Sequence, residues 1–472
     1  MNLSKKEAVH LTDGYGDCIE RVASINRSRD RQPLAFVRTF GCQMNAHDSE
    51  KLEETLLRMG YGKAPSEDCA DLALINTCCV RENAENRVFG NLGKLKELKG
   101  KKPDMLVAVC GCMMQEDAAV ERIKKSYRHV DVVFGTFNLD RFPELLLSRM
   151  ESGRQIIDIW KGPREDRGIP SGSLATARHF AHKASLSVMF GCDNHCSYCI
   201  VPYVRGAERS RPPEGIMEEA RALADSGAKE VMLLGQNVNS YGKGLNLSFA
   251  ELLERVCEIG GIERIRFMTS HPKDLGDDLI QVMKAQPKIA RHLHLPVQSG
   301  SSRILSLMNR RYTKESYLNL VEKIKSSMPD IALTTDFIVG FPGETEEDFA
   351  DTLDLAERCR FQGAFTFLYS KRTGTPAAKM PNQVDPEVAG ERFKRLLACV
   401  NGIQEEANAR TVGKVLKVLV EEPNAKNPEL MTGRGHGNEL VHFKADKSLA
   451  GQFVDVRITE SKIFYLMGEA LT

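Results

Sequence analysis

Residues 191–199 of this 472-residue chain hold three cysteines in the spacing C-x3-C-x2-C, directly after an apolar run that is typical of a buried strand. Three thiolates on one tight loop, Cys192, Cys196 and Cys199, can bind three irons of a [4Fe-4S] cluster and leave the fourth iron open. An open iron can chelate the amino and carboxylate groups of S-adenosylmethionine. Electron transfer into the sulfonium then gives methionine and a 5′-deoxyadenosyl radical. The loop therefore predicts a radical generator.

Two simpler interpretations compete with the iron–sulfur cluster. The three cysteines could bind zinc together with a distant His or Cys, or they could be plain buried thiols. A loop rich in polar residues argues against buried thiols. The spacing, with Tyr198 just before the last cysteine, resembles the radical-SAM superfamily. That resemblance makes Tyr198 a candidate contact of the cofactor.

The composition is that of an ordinary globular protein, with 42% hydrophobic and 27% charged residues. Lys and Arg number 65 against 64 Asp and Glu, so any contact with RNA must come from a local patch and not from the overall charge. No apolar run is long enough to cross a membrane, and residues 1–31 lack a signal-peptide core. Thirteen cysteines in such a chain favour metal ligation in a reducing compartment over disulfides. We therefore expect a cytoplasmic, multidomain α/β protein that does not contact membranes.

The amino-terminal third predicts an open α/β sheet. Residues 1–32 are polar and weakly periodic, which predicts a loosely ordered extension, and residues 33–150 predict a domain in which strands and helices alternate. The predicted strands are 34–40, 71–76, 105–110 and 131–134, and the predicted helices are 49–59, 83–98, 115–125 and 139–150.

Three cysteines in this domain, Cys42, Cys78 and Cys112, each follow a predicted strand. Ligands of open parallel sheets bind at the carboxyl ends of the strands, so these cysteines predict a second three-thiolate site with an open iron. Taken one at a time, each could be a small core residue. We expect the neighbouring Cys79 and Cys110 to point to the opposite side or into the sheet.

The central part of the chain predicts an incomplete barrel. Residues 151–183 combine Gly, Pro, Ser and charges, as linkers do, and residues 184–408 contain six β/α units. Six units predict a partial (β/α)6 TIM-like barrel that is open on one side, which suits a macromolecular substrate. The predicted strands are 186–190, 230–234, 264–269, 292–297, 332–339 and 364–369.

Polar side chains at the carboxyl ends of these strands are candidate contacts of S-adenosylmethionine. Arg310 could pair with its carboxylate as a two-pronged donor. His292 and His294 alternate in one strand and so share a face, where packing or hydrogen bonding is favoured over metal ligation. The other candidate contacts are Gln236, Ser270, Gln298 and Asp336.

Residues 409–472 contain short alternating runs between Gly, Asn and Pro turns, which predict a small β-barrel. Its charges are nearly balanced, so both an RNA-binding role and a purely stabilising role stay open.

Together these motifs resemble the methylthiotransferase family of radical-SAM enzymes. The resemblance rests on TFGCQMN, NTC-x-VRE, the three-cysteine loop, VPY-x-RG, GQNVNSYG, HLPVQSGS, RTGTPAA and the closing β-domain, and it covers nearly everything from Leu34 onward. It implies an amino-terminal methylthiotransferase domain, a radical-SAM domain and a carboxy-terminal TRAM domain. FGCQMN, VPY-x-RG, GQNVNSYG and RTGTPAA favour the members that act on N6-(dimethylallyl)adenosine at position 37 of tRNA.

The resemblance also implies cofactors and partners. Cys192, Cys196 and Cys199 would hold the radical-SAM [4Fe-4S] cluster, and Cys42, Cys78 and Cys112 would hold an auxiliary one. Two molecules of S-adenosylmethionine would be used per product, one as methyl donor and one as radical source. The partners would be the anticodon stem-loop with its isopentenyladenosine, an electron donor of the flavodoxin or ferredoxin type, and a sulfur-supply or cluster-assembly protein.

Other substrates and another class of protein remain possible from the sequence. Family members also act on threonylcarbamoyladenosine in tRNA or on an aspartate of a ribosomal protein. A non-enzymatic iron–sulfur or zinc protein that binds RNA would carry the same cysteines. NTC favours Cys78 over Cys79 as the ligand by resemblance alone.

Overall fold

The computed structural model describes residues 5–79, 82–162 and 178–471. The chain divides into two compact units. Unit 1 contains Met1–Arg178 and also Ile200–Ala207, and unit 2 contains His179–Cys199 and Glu208–Thr472. The short segment after the three-cysteine loop therefore belongs to unit 1, although the loop itself belongs to unit 2.

Unit 1 is an open, fully parallel sheet in the order β2-β1-β3-β4-β5-β6. Alternate residues of β3 enter two different apolar cores: Ala73 and Ile75 enter one, and Leu72 and Leu74 enter the other. A strand with both faces buried is typical of a parallel sheet covered on both sides. The open α/β sheet predicted from the sequence is thus confirmed. The elements are α1 (Lys5–Arg27), β1 (Leu34–Thr39), α2 (Gln43–Arg58), β2 (Gly62–Lys63), β3 (Leu72–Thr77), α3 (Glu82–Lys101), β4 (Leu106–Gly111), α4 (Asp117–Ser126), β5 (Val132–Phe134), α5 (Phe142–Ser152), β6 (Ile156–Asp158) and α6 (Val201–Arg205), with 3₁₀ turns at Glu67–Cys69, Cys112–Gln115 and Thr136–Arg141.

Two expectations about unit 1 need correction. The loosely ordered extension expected at residues 1–32 contains helix α1, and its residues Ile19 and Val22 are buried in the same core as the α5 residue Leu146. The linker expected to begin at residue 151 starts later, because β6 pairs with β5 and extends the sheet to Asp158. Residues 163–177 of that expected linker lie outside the described residues. Both errors have one cause. A segment with few apolar residues gives a weak local signal, and the sequence does not show that a core or a neighbouring strand is present for the segment to pack against.

The first part of unit 2 is the predicted partial barrel. Parallel strands run in the orders β11-β10-β7 and β12-β13-β14, and a parallel bridge between Ile265 and Ile289 joins the two groups into six strands. The elements are β7 (Lys183–Ser187), β8 (Met189–Phe190), β9 (Arg209–Ser210), α7 (Pro213–Asp225), β10 (Glu230–Leu234), α8 (Phe249–Cys257), β11 (Arg264–Phe267), α9 (Asp277–Ala285), β12 (His292–His294), α10 (Ser302–Leu307), α11 (Lys314–Ser327), β13 (Ala332–Val339), α12 (Glu346–Cys359), β14 (Gly363–Leu368) and α13 (Pro386–Ala409), with 3₁₀ turns at Val238–Ser240, Pro272–Asp274 and Pro376–Lys379.

The carboxy-terminal part of unit 2 is a closed five-stranded barrel in the order β15-β16-β17-β19-β18, as the alternating pattern predicts. Its strands are β15 (Val415–Pro423), β16 (Leu430–Arg434), β17 (Leu440–Lys444), β18 (Phe453–Ser461) and β19 (Leu466–Ala470), with a 3₁₀ turn at Lys447–Leu449. Among the described residues, no helix has both the length and the apolar character needed to span a membrane.

Candidate active site

Unit 1 brings the three strand-end cysteines to one edge of its sheet. Cys42, Cys78 and Cys112 follow β1, β3 and β4, which are direct neighbours in the sheet. Cys42 directly precedes α2. The helix starts at Gln43 and not at residue 49 as predicted. The amino end of a helix favours a negatively charged ligand such as a thiolate.

The side chain of Asn45 links the loops that carry these cysteines. Its Nδ2 donates to the carbonyl oxygens of Phe40, at 2.9 Å, and Thr77, at 2.8 Å, which lie two residues before Cys42 and one residue before Cys78. Its Oδ1 lies 3.8 Å from the Sγ atoms of both Cys42 and Cys112. One buried amide thus orients all three strand-end turns.

A buried arginine from the segment Ile200–Ala207 completes this site within unit 1. Nε of Arg205 donates to Cys112 Sγ at 3.2 Å, and Nη2 donates to Asn45 Oδ1 and Asp48 Oδ2, each at 2.8 Å. The side chains of Arg205 and Asp48 are 6% and 7% exposed. The pair is therefore shielded from water, and hydrogen bonds between charged groups are stronger in such a buried environment.

Cys79 and Cys110, the cysteines close in sequence to the candidate ligands, lie on different faces of the sheet. The hydrogen bond from the Cys79 thiol, helped by Arg205, lowers the pKa of Cys112 to about 6 against the effect of burial. Cys79 therefore lies on the same side as Cys112, which corrects the expectation that it points away. Cys110 lies in the core on the other face of the sheet, and burial raises the pKa of its thiol.

Two glycines let the backbone pass close to this site. A Cβ added to Gly41, whose φ is +120°, would lie 2.5 Å from Cys78 Cβ and 2.9 Å from its Sγ. A Cβ on Gly111, with φ of +99°, would lie 2.4 Å from Thr77 O. Any side chain at these positions would displace the cysteine-bearing turns.

The three-cysteine loop of unit 2 is held by hydrogen bonds to the turn after α10. Ser197 donates from its main-chain nitrogen to Met308 O at 3.0 Å and from its hydroxyl to Leu307 O at 2.8 Å. Asn309 Nδ2 donates to His195 O at 3.0 Å. His195 adopts a φ of +47°, a strained conformation for a non-glycine residue that these bonds hold in place.

A second buried arginine contacts a cysteine of this loop. Arg310 Nη1 donates to Cys196 Sγ at 3.4 Å, Nη2 to Pro296 O at 2.7 Å, and Nε to Tyr312 Oη at 2.8 Å. Arg310 is 5% exposed. Its suggested pairing with the carboxylate of S-adenosylmethionine stays a prediction.

Burial strongly shifts the pKa values of two other groups in the loop. Burial raises the pKa of the Cys192 thiol to about 11 and raises that of the Tyr198 phenol well above its usual value. The Tyr198 ring packs against the apolar cluster that contains Met308 and Phe341. Burial in this loop therefore opposes a free thiolate at Cys192, so binding of a positively charged iron would stabilise it.

Buried polar atoms without partners gather at the ends of β10 and β11. Within the described residues, Asn237 Oδ1, Ser270 Oγ and His271 Nε2 have no hydrogen-bond partner. Burial lowers the pKa of His271 to about 2, so its ring is neutral. Unsatisfied buried polar atoms are costly, and a polar ligand at the strand ends would satisfy them.

The remaining candidates have internal partners. Gln236 Oε1 accepts from Gly191 N at 2.5 Å and so fixes the start of the cysteine loop. Gln298 has a φ of +76° and its main chain bridges to β13. Asp336 lies 3.5 Å from Nε2 of His294, which shares Thr334 Oγ1 with His292. Their roles toward a cofactor stay predictions.

Both cysteine groups suit a multi-iron cluster. In the part of the chain that the structure describes, no three His, Cys, Asp or Glu side chains gather closely enough to hold a single metal ion. A cubane cluster places each thiolate on a different iron, so its ligands surround a volume and need not meet at one point. The three strand-end turns of unit 1 and the single loop of unit 2 each carry three thiols, with one buried arginine against one of them, and so have that chemistry.

Asn45 and Arg205 are two residues of this site that sequence reasoning missed, although each lies inside a quoted motif. Asn45 lies inside TFGCQMN, and Arg205 lies inside VPY-x-RG, as the one charged residue in the run Ile200–Ala207. A lone charge in an apolar run is a signal of a buried polar partner, but the partner, unit 1, is remote in sequence from residue 205.

Three family descriptions match successive parts of the chain. "Uncharacterized protein family UPF0004" matches residues 35–135, "Radical SAM superfamily" matches 186–356, and "TRAM domain" matches 409–471. These ranges include Cys42, Cys78 and Cys112, the cysteine loop of unit 2 and the closed barrel, respectively.

Solved structures share the fold. A radical S-adenosylmethionine methyltransferase, TsrM, from Kitasatospora setae, with cobalamin and a [4Fe-4S] cluster bound, aligns with a TM-score of 0.54 at 14% identity, covering 74% of this chain and 77% of that one. The same enzyme with tryptophan and a SAM analogue gives 0.56 at 13% identity, covering 80% and 90%. At such identities the likeness concerns the fold alone.

Relatives with much higher identity carry one name, tRNA-2-methylthio-N(6)-dimethylallyladenosine synthase. The protein from Acetivibrio thermocellus is 56% identical over 456 residues, 95% of this chain and 94% of that protein. Those from Lachnoclostridium phytofermentans and Alkaliphilus oremlandii are 55% and 53% identical, covering 93% and 96% of this chain and 96% of each relative. The resemblance seen in the motifs is thereby confirmed, and the chain belongs to the methylthiotransferase family of radical-SAM enzymes, with the tRNA-2-methylthio-N(6)-dimethylallyladenosine synthases.

Proposed function

We propose that this protein is a tRNA methylthiotransferase that converts N6-(dimethylallyl)adenosine at position 37 to its 2-methylthio derivative. The observation that carries the proposal is the second three-cysteine site, in unit 1. A radical generator alone can remove hydrogen from an unactivated aromatic carbon but supplies no sulfur. A second cluster with an open iron offers a place from which sulfur can be delivered.

In unit 2, Cys192, Cys196 and Cys199 would hold the radical-SAM cluster, and the strand ends would hold S-adenosylmethionine. Ser270 and His271 offer the hydroxyl and neutral ring nitrogen that lack partners. Gln236 fixes the first turn of the loop through Gly191 N. These residues bind and orient the cosubstrate, and the apolar packing around Tyr198 keeps water from the loop.

In unit 1, Cys42, Cys78 and Cys112 would hold the auxiliary cluster, with Asn45 setting the three turns. Cys78 is favoured over Cys79 because the Gly41 backbone packs directly against the Cys78 side chain and because Asn45 holds the carbonyl of Thr77, the residue just before it. When bound, the two clusters supply the electron that cleaves S-adenosylmethionine and the sulfur that is methylated by a second molecule of it.

The substrate assignment rests on the named relatives at 53–56% identity. The closed barrel, which matches the TRAM description, would help hold the anticodon stem-loop. The overall charge of +1 means that local contacts, not a global field, select the RNA. The reaction further requires an electron donor of the flavodoxin or ferredoxin type and a sulfur-supply or cluster-assembly protein, and we assign it to the cytoplasm.

One anaerobic assay tests this proposal. The reconstituted protein is given dithionite, S-adenosylmethionine and isopentenylated tRNA that lacks the methylthio group, and digested nucleosides are analysed by mass. We expect a methylthio mass shift on isopentenyladenosine. tRNA carrying threonylcarbamoyladenosine is the substrate control. A shift on that nucleoside alone, or no 5′-deoxyadenosine under any condition, would overturn the proposal.

A further inference from the structure

Arg205 is buried beside the cysteine site of unit 1, although it is far in sequence from Cys42, Cys78 and Cys112. Its Nε donates to Cys112 Sγ at 3.2 Å, and the two hydrogens of its Nη2 go to Asn45 and Asp48 at 2.8 Å each. Three of its five N–H groups are thus engaged in fixed directions. A guanidinium held this rigidly costs little to keep in one orientation.

The contact with Asn45 ties Arg205 to the whole site. Asn45 Oδ1, which accepts from Arg205, is the same atom that lies 3.8 Å from both Cys42 and Cys112. The amide nitrogen of Asn45 in turn holds the turns before Cys42 and Cys78. A change at Arg205 would therefore reach all three cysteines, and not only Cys112.

Asp48 makes the arrangement electrically balanced. Its carboxylate, 2.8 Å from Nη2, offsets the charge of the guanidinium. A plain buried ion pair would need no contact with sulfur, yet Nε is aimed at Cys112. Asp48 thus reduces the net charge that Arg205 brings to the cysteines, while Nε of Arg205 stays a directed N–H donor to Cys112.

The other cysteine site repeats this pattern with different residues. In unit 2, Arg310 is buried and donates to Cys196 Sγ at 3.4 Å. Two unrelated sites, one at the edge of an open sheet and one after a barrel strand, each have one buried arginine against one cysteine sulfur. Hydrogen bonds to cysteine sulfur are among the factors that set the reduction potential of iron–sulfur clusters.

We infer that Arg205 is a positioning residue of the auxiliary site: its N–H group bonds the Cys112 sulfur and, through Asn45, holds the three thiols in the geometry that the cluster requires. The inference rests on the proposed function, since it presupposes a cluster at Cys42, Cys78 and Cys112. It assigns to Arg205 an effect on both the retention and the reduction potential of that cluster.

The test uses the full chain with Cys192, Cys196 and Cys199 changed to Ala, so that only a cluster in unit 1 is measured. In this background we compare the parent with the double variant Arg205→Met/Asp48→Asn, which removes the hydrogen bonds to sulfur and to Asn45 but leaves the net charge unchanged. Arg205→Lys keeps the charge without the forked geometry. The matched control is Arg211→Met/Glu219→Gln, another buried ion pair, at 2.7 Å and in unit 2.

Iron and sulfide per chain and the midpoint potential are measured for each protein after anaerobic reconstitution. We expect the double variant to retain less cluster and to shift the potential to a more negative value, because an N–H donor to sulfur stabilises the more negatively charged, reduced cluster and its loss makes the cluster harder to reduce. Arg205→Lys should fall between the parent and the double variant, and the control should match the parent.

The outcomes separate this inference from the proposed function. A parent without bound iron would overturn the auxiliary cluster itself, and the inference with it. A parent that binds a cluster, with unchanged iron content and potential in both Arg205 variants, would overturn the inference alone. If the double variant does not fold, Arg205→Lys becomes the deciding variant. A midpoint potential equal to that of the parent would then contradict a role for the forked guanidinium.

Discussion

The carboxylate of Glu230, at the start of β10, accepts a hydrogen bond of 3.0 Å from Nε of Arg266 in the neighbouring strand β11. The side chains are 3% and 2% exposed. Arg264, equally buried, lies 3.3 Å from the same carboxylate oxygen. Both arginines also donate to main-chain carbonyls of the closed barrel: Arg264 to Arg434 at 2.9 Å, and Arg266 to Gly435 at 2.6 Å. One carboxylate thus lies between the two cations that join the partial barrel to the closed barrel and offsets part of their charge.

Glu230→Gln should destabilise unit 2 by about 3–5 kcal/mol, because it leaves two buried guanidinium groups without their counter-charge. The measurement is the free energy of unfolding in urea. Glu263→Gln is the control, since Glu263 pairs with Lys229 at 3.8 Å on the surface, and such pairs contribute less than about 1 kcal/mol. Equal stability of the two variants would contradict this account of the junction.

Cys42→Ala should abolish methylthiolation and leave cleavage of S-adenosylmethionine intact. The loss of product should exceed about 100-fold, since even changes beside metal ligands cost about 10–100-fold. Methylthio nucleoside and 5′-deoxyadenosine are quantified in the same anaerobic reaction. Cys69→Ala, which removes an exposed thiol of unit 1 that no strand end presents, should retain both products. Methylthio product from Cys42→Ala would refute the division of labour between the two sites.

Gly41→Ala should lower the iron content of unit 1 and destabilise it by about 1–3 kcal/mol. The added methyl group would meet Cys78 at 2.5 Å, at a φ of +120° that non-glycine residues adopt only under strain. Gly93→Ala in helix α3 is the matched control: nothing lies within 4 Å of its added Cβ, and the change should stabilise the helix by about 0.5–1 kcal/mol. Iron per chain and urea unfolding distinguish the two. If Gly41→Ala bound as much iron per chain as the parent, the result would contradict the importance of the close approach between Gly41 and Cys78.

His292 should make stability depend on pH. Burial, followed by the nearby Arg266, lowers the pKa of His292 to about 3, below its usual value of 6.5. Between these values the unfolded chain binds a proton that the folded chain does not, so stability falls as the pH decreases below about 6.5, by up to about 1.4 kcal/mol per pH unit. His292→Gln should therefore lose about 1.4 kcal/mol less than the parent between pH 7.5 and pH 5.5 in urea titrations. Parallel losses in the two proteins would contradict the assignment.

The sequence by itself determined the repeating architecture. Strands β10 (Glu230–Leu234) and β13 (Ala332–Val339) have the bounds that the apolar runs predict. Their signals are local, since a buried parallel strand is a short apolar run between polar turns. The spacing of Cys192, Cys196 and Cys199, and the strand-end positions of Cys42, Cys78 and Cys112, likewise depend only on neighbours in sequence.

Tertiary structure alone decided which residues support those cysteines. Arg205 follows Cys199 by six positions but packs in unit 1 against Cys112, 93 positions away. Helix α1 and strand β6 formed where weak local patterns predicted loose chain, because a core and a sheet edge were available to them. Burial of a charged or sparsely apolar segment depends on partners remote in sequence. Its energy comes from desolvation and from hydrogen bonds that exist only after the chain has folded.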